Sequence, residues 1–212
     1  MTELAAARVR TSIEEIRRIE LIDATIRTIS TLGFERTTIR DIARAAGAST
    51  GSVHYYFANK DELLRAAVVH CDDRFRARMR SALADVPTAV GKLERLFALC
   101  FPDDPEAGQD YYVFIDFWQQ AARRPDFRHL FDKANAGWLD ELAQVIQDGA
   151  RAGELVLAGS ARDEATGLAA MIDGLALYAR VTYQLDPETA RRILHARVEE
   201  LRAPQSVVEI SR

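Results

Sequence analysis

Apolar residues recur at intervals of three and four along nearly the whole chain, and no stretch alternates apolar with polar positions, so the pattern predicts helices throughout and needs no strands. Ile16, Ile19, Ile22, Ile26 and Ile29 form one stripe on a first helix over 12–32, which Gly33 can end by taking the left-handed conformation. Thr38, with Asp41 three residues on, fits a capping box for a short second helix; Ile39, Ile42 and Ala43 supply its apolar side and Gly47 stops it near Ala46. Ser49 is placed to cap a third short helix through Phe57, and Asn59 with Glu62 repeats the box for a long fourth helix to Ala84. Pro87 and Thr88 open a fifth helix toward Phe101, whereas "PDDPEAGQ" over 102–109 reads as a loop. Later helices are expected at 110–123, 126–151, 161–184 and 187–201, the last two started by Ser160/Asp163 and Asp186/Pro187, with a flexible tail over 203–212.

Residues 40–64, "RDIARAAGASTGSVHYYFANKDELL", hold two helices of about eight residues joined by a glycine-containing turn, the spacing at which a second helix can enter the DNA major groove. Ala43, Ala46 and Ala48 let the two helices cross closely. Val53 and Phe57 are expected in a small core, which leaves Thr50, Ser52, His54 and Tyr55 on the outer face. Gly51 removes a side chain where backbone can approach a phosphate or a base edge. The expected organisation is all-α: a three-helix unit over 1–57 that carries these two short helices, then a larger helical unit over 58–202.

Charge changes this picture little. The chain has 212 residues and a net charge of −4; residues 1–60 carry 9 Lys and Arg against 7 Asp and Glu, and the remainder carries 19 against 25. The basic end is therefore the one with the two short helices, although a protein that coats nucleic acid nonspecifically would be far more basic. Arg8 and Arg10 could reach an adjacent minor groove as an arm, or form a solvated tail. Cys71 and Cys100, without paired spacing, read as reduced thiols in the cytoplasm. The first residues lack an apolar signal core, and "LAAMIDGLALYARV" is broken by Asp173 and too short to span a bilayer.

The segment "TTIRDIARAAGASTGSVHYYFANKDELL" resembles the DNA-binding region of TetR-type bacterial transcriptional regulators, through Thr38, Asp41, Ile42, Ala43, Ala46, Gly47, Ser49, Gly51, Tyr56, Phe57, Lys60 and Leu63. Two positions depart from the usual pattern: His54 stands where the family carries an aromatic, and Ala48 where it carries valine. The resemblance implies that Thr38, Ser49, Tyr55, Tyr56 and Lys60 contact the DNA backbone and that Thr50, Ser52 and His54 read bases. It also implies a dimeric regulator, most often a repressor, that binds a palindromic operator and is released by a small molecule. Helix four would be the lever between the two parts.

In the larger part, Tyr111, Phe114, Ile115 and Trp118 fall on one helical face, joined by Phe117; Phe127, Phe131, Ala134 and Trp138 follow, and then Leu168, Met171, Leu175 and Tyr178. Such stripes are ordinary core in most proteins, and as a set they are also the best candidates for a ligand cavity. The ligand candidates are Tyr111, Phe114, Phe117, Trp118, Trp138, Met171, Leu175 and Tyr178. Tyr and Trp beside acids such as Asp110 and Asp116 would suit an organic cation. "AAMIDGLALYARV" resembles choline- and betaine-responsive members of the same family. Asp173 and Arg180, seven residues apart, read as one solvated face. Ala165, Ala169, Ile172, Ala176 and Ala179, with Ile193 and Val198, offer a small-residue face for a dimer or for packing within the chain.

Enzyme chemistry finds no support: no phosphate-binding loop, nucleophile elbow or zinc-protease motif occurs, and Ser49 and Ser52 lack a neighbouring base. His70 and Asp73 could donate to a metal, but no second pair accompanies them, so no metal or cofactor is expected. Two other readings, a helical ligand-binding or adaptor protein without DNA binding and an enzyme with an unrecognised site, leave the hydroxyl-rich short helix unexplained.

Overall fold

The computed structural model describes residues 3–101, 105–182 and 185–204. Among these it contains nine helices: α1 (Glu3–Leu32), α2 (Ile39–Ala45), α3 (Thr50–Tyr56), α4 (Lys60–Leu83), α5 (Ala89–Cys100), α6 (Pro105–Arg123), α7 (Pro125–Arg151), α8 (Ala161–Thr182) and α9 (Pro187–Leu201). The all-α expectation holds. The tail expected over 203–212 lies outside the described residues beyond 204, as do 183 and 184 at the expected end of α8.

Two helices start earlier than their apolar pattern indicates. α1 begins at Glu3, so the backbone at Arg8 and Arg10 is helical, in place of an extended arm. α6 begins at Pro105, inside the expected loop, because proline suits the first helical position where its missing N–H costs nothing. The isoleucine stripe of α1 is also split: Ile22, Ile26 and Ile29 are buried, whereas Ile16 and Ile19 are exposed, along with Ile13.

The chain divides into two compact units, Met1–Phe75 with Asp104–Asp132, and Arg76–Asp103 with Lys133–Arg212. The first unit is built on one continuous core in which Ile22, Ile26 and Ile29 of α1, Ile42 of α2, Val53 of α3, Leu63, Leu64 and Ala67 of α4, and Val113 and Phe117 of α6 pack together. Burial of this many large aliphatic and aromatic side chains, each contributing about 1.5–3 kcal/mol, holds helices of only seven residues that would not form alone. In the second unit α9 packs on α5 and α8. Leu155 bridges to Arg202, and Glu154 accepts the Ala89 amide at 2.7 Å.

Most of the small-residue face offered for a dimer or for packing within the chain is interior, while Ala179 is half-buried and Ile193 exposed. Ala165, Ala169, Ile172, Ala176 and Val198 are all buried within the chain, since α9 covers that side of α8. Among the described residues, the large apolar side chains that α8 and α9 leave exposed are Leu177, Tyr178 and Ile193, beside the exposed Gly167, Ala170 and Gly174.

Candidate nucleic-acid interface and effector residues

The turn between α2 and α3 is fixed by its own backbone. Ala48 N–H donates to the Ala43 carbonyl at 2.9 Å and Gly47 N–H to the Arg44 carbonyl at 3.2 Å, a pair of bonds that closes a helix when the residue at its end is left-handed. Gly47 has φ +61° and is the residue that permits it. At the other end of α2, Thr38 Oγ1 accepts the Asp41 amide at 3.2 Å and the Asp41 carboxylate accepts the Thr38 amide at 3.0 Å, so the expected capping box is present. Hydrogen bonds from the Thr38 hydroxyl and backbone hold the Asp41 carboxyl below its ordinary value.

Ser49 Oγ accepts the Ser52 amide at 3.0 Å and caps α3. Val53 and Phe57 are buried, Tyr56 is half-buried, and Thr50, Gly51, Ser52, His54 and Tyr55 are exposed, with Tyr55 at 73%. The two tyrosine rings meet edge to face at 4.9 Å. Gly51 is not required by the fold: a Cβ there would meet only Ser49 Oγ at 3.6 Å, an ordinary contact. The surface of α3 is thus a row of short polar side chains over an uncovered stretch of helix backbone.

Lys60 is more constrained than its resemblance-based role suggests. Its Nζ donates to the carbonyls of Phe34 at 2.8 Å and Glu35 at 3.3 Å, leaving one of its three donors for a phosphate. Exposed Arg36, Arg40 and Arg44 add positive charge next to these elements and escaped the sequence reading. Arg40 and Arg44 are one turn apart on α2, and that spacing was the available signal.

Of the candidate ligand residues, Tyr111, Phe114, Phe117 and Trp118 belong to the first unit and Trp138, Met171, Leu175 and Tyr178 to the second. Phe114 and Trp118 are half-buried, with ring centroids 5.7 Å apart, and Phe131 lies 6.1 Å from Phe114 and 5.8 Å from Trp118. The Trp118 indole N–H is buried and has no hydrogen-bond partner among the described residues. Phe117 is fully buried and packs on Phe127 at 5.6 Å, in the core of the first unit. In the second unit Trp138, Met171 and Leu175 are half-buried and Tyr178 is 50% exposed. Asp173 is half-buried and that burial pushes its carboxyl up to about 6, while the side chain of Arg180, expected on the same face, lies outside the described residues.

His70 lies 3.4 Å from Asp23, and Arg74 spans Asp23 and Asp110. No group of three or more metal-ligating side chains occurs among the described residues, and no described helix is long and apolar enough to cross a membrane.

Residues 21–67 match the family profile described as bacterial regulatory proteins of the tetR family, and residues 89–203 match the BetI-type transcriptional repressor C-terminal profile. The chain is 35% identical over 199 residues to the HTH-type transcriptional regulator BetI of Burkholderia mallei, covering 91% of this chain and 97% of that protein. The Burkholderia thailandensis protein of the same name is 34% identical over 198 residues, covering 92% and 97%. Among solved structures, a putative transcriptional regulator from Saccharomonospora viridis in complex with choline superposes with a TM-score of 0.83 at 25% identity, covering 91% of this chain and all of that one. A TetR transcription regulator from Haloarcula marismortui shares the fold, with a TM-score of 0.78 at 24% identity over 89% and 99% of the two chains.

Proposed function

Because the chain belongs to the TetR family of DNA-binding transcriptional regulators, with a BetI-type C-terminal region, we propose that it represses transcription as a two-fold dimer whose operator affinity falls when a compact organic cation binds. It is a regulator and not an enzyme. Residues 1–57 take the DNA and residues 58–202 the effector and the second subunit. The site of action is the cytoplasm, where a bacterial operator lies.

The observation that carries the DNA reading is the two-sided character of α3: Val53 and Phe57 are locked in the core while Thr50, Ser52, His54 and Tyr55 are exposed on a capped helix. Thr50, Ser52 and His54 read base edges. Ser49, Tyr55, Tyr56 and the remaining donor of Lys60 contact phosphates, as does Thr38 at the start of α2. Arg40 and Arg44 add phosphate contacts. One short helix reads too few base pairs for selective binding, and a two-fold dimer sets two of them about 34–36 Å apart on one face of the duplex.

The dimer forms through α8 and α9, using Leu177 and Ile193 around Gly167, Ala170 and Gly174. Gly167 and Gly174 have open space where a Cβ would stand, so this chain alone gives no reason for glycine there. Close approach of a second helix supplies one.

Effector contacts in the first unit are Tyr111, Phe114 and Trp118. In the second unit they are Trp138, Met171, Leu175 and Tyr178, with Asp173 as counter-charge. Half-buried aromatic faces and a desolvated carboxyl attract a quaternary ammonium through cation–π and ionic terms. The choline complex of the Saccharomonospora viridis relative supports that class. A coupling of roughly 1–3 kcal/mol between effector and operator, about 5–150-fold in affinity, suffices for switching. The test is a gel shift with the chain's own upstream DNA, titrated with choline chloride against equal sodium chloride. Release by choline alone supports the reading, and no shift at low salt contradicts it.

A further inference from the structure

The turn between α1 and α2 is held from two sides. Gly33 ends α1 at φ +77°, and Thr37 N–H closes the turn on the carbonyls of Gly33 and Phe34, both at 3.2 Å. Thr38, the next residue, caps α2. From α4, Lys60 takes the Phe34 and Glu35 carbonyls, and its ammonium stands 4.3 Å from the Phe34 ring centroid. From α6, Asp116 Oδ2 accepts the Phe34 amide at 3.1 Å, and one turn later Gln120 Nε2 donates to Glu35 Oε1 at 2.8 Å. Phe34 thus has its N–H fixed by α6 and its C=O fixed by α4.

Asp116 is half-buried, and its carboxyl is raised above the ordinary range by that burial, with Glu35 adding like-charge repulsion. Core packing does not require a carboxylate there: the neighbouring Val113 and Phe117 supply the burial. What the carboxylate supplies is one acceptor for the Phe34 amide, which lies immediately past the left-handed glycine that ends α1. Phe114 and Trp118 stand two residues to either side of Asp116, about 200° around α6, so the aromatic pair and the Phe34 contact occupy opposite sides of the same helix.

We propose that Asp116 is a positioning residue for DNA recognition: by holding the Phe34 amide it sets the angle at which α2 and α3 leave α1, and it ties that angle to α6 independently of α4. The inference rests on the DNA reading of α3 given above. A displacement of α6 by a ligand on its Phe114 and Trp118 side would loosen the Phe34 amide and leave the carbonyl side of the turn to Lys60.

The experiment compares Asp116→Ala and Asp116→Asn in the full chain, using fluorescence anisotropy on an operator fragment selected with the unaltered protein, amide hydrogen exchange and thermal melting. Asp116→Ala is expected to weaken operator binding at least 10-fold and to raise exchange of the Phe34 amide, with the protection of α8 and α9 unchanged. Asp116→Asn keeps an acceptor and is expected to bind within 3-fold of the unaltered protein. Wild-type affinity in Asp116→Ala, or equal loss in both variants, overturns the proposal. If Asp116→Ala proves too unstable to assay, Asp116→Asn together with Gln120→Ala decides it: Phe34 exchange above the unaltered protein's in Asp116→Asn is contrary to the proposal. Failure of the unaltered protein to select any duplex overturns the DNA reading itself and is thereby distinguished.

Discussion

Lys60 donates to the Phe34 carbonyl at 2.8 Å while its ammonium lies over the ring of the same residue. One side chain at the start of α4 therefore both braces the turn ahead of α2 and keeps a donor for DNA. Lys60→Ala is expected to lower stability by about 1–2 kcal/mol, from the lost charged hydrogen bond and cation–π contact. It is also expected to weaken operator binding about 10-fold and to reduce the salt slope by about one counterion. Denaturant unfolding and anisotropy at several salt concentrations separate the two effects, and an unchanged salt slope would show that the lysine is purely structural.

Gly51 separates folding from recognition in the opposite sense. Gly51 is the second residue of α3, a side chain fits there without strain, and replacing a glycine at such a position reduces the freedom of the unfolded chain. Gly51→Leu should leave the melting temperature equal or slightly higher and reduce operator affinity by more than 10-fold. Operator affinity that survives the substitution would mean that α3 does not approach DNA by this face.

The face of α8 that carries Gly174 is assigned to the partner subunit. Gly174→Glu should preserve helix content, since nothing among the described residues lies within 4 Å of a Cβ placed there. It should turn a dimer into a monomer in sedimentation velocity. A dimer that persists would move the interface elsewhere.

The carboxyl of Asp173 is raised to about 6 from 3.8 by burial, so the folded state holds its proton more tightly than the unfolded chain does. The resulting penalty is absent below about pH 3.8 and complete above about pH 6. Asp173→Asn should therefore melt progressively above the unaltered protein as pH rises from 4.5 to 7.5, by about 3 kcal/mol at the upper end. The same substitution should abolish any stabilisation by choline at pH 7.5. Parallel melting curves across this range would refute the burial of the charge.

The caps were readable because each is local. Thr38, Ser49, Thr88, Ser160 and Asp186 bond to backbone three residues away, so the sequence contains both partners. The division of α3 into a buried side at Val53 and Phe57 and an open side followed from helical period alone. Relationships between distant segments were not readable. Ala165, Ala169 and Ala176 have the small size that suits either a second chain or α9, and only packing decides for α9. Lys60 on Phe34 and Asp116 on the Phe34 amide join segments 26 and 82 residues apart, and no local pattern announces either contact. The start of α1 was missed because "ELAAARVRT", over 3–11, carries no apolar stripe that continues the isoleucine period, so the sequence offers no signal that the helix extends back to Glu3.

The central claim, that α3 reads base edges twice per dimer, is tested most directly by selecting bound sequences from random duplex DNA with the unaltered protein and with Ser52→Ala and His54→Ala. The account predicts a palindrome with half-sites about one helical turn apart. It also predicts that each variant relaxes preference at symmetry-related positions in both halves. An asymmetric or featureless product, or variants that select the same sequence as the unaltered protein, would contradict it.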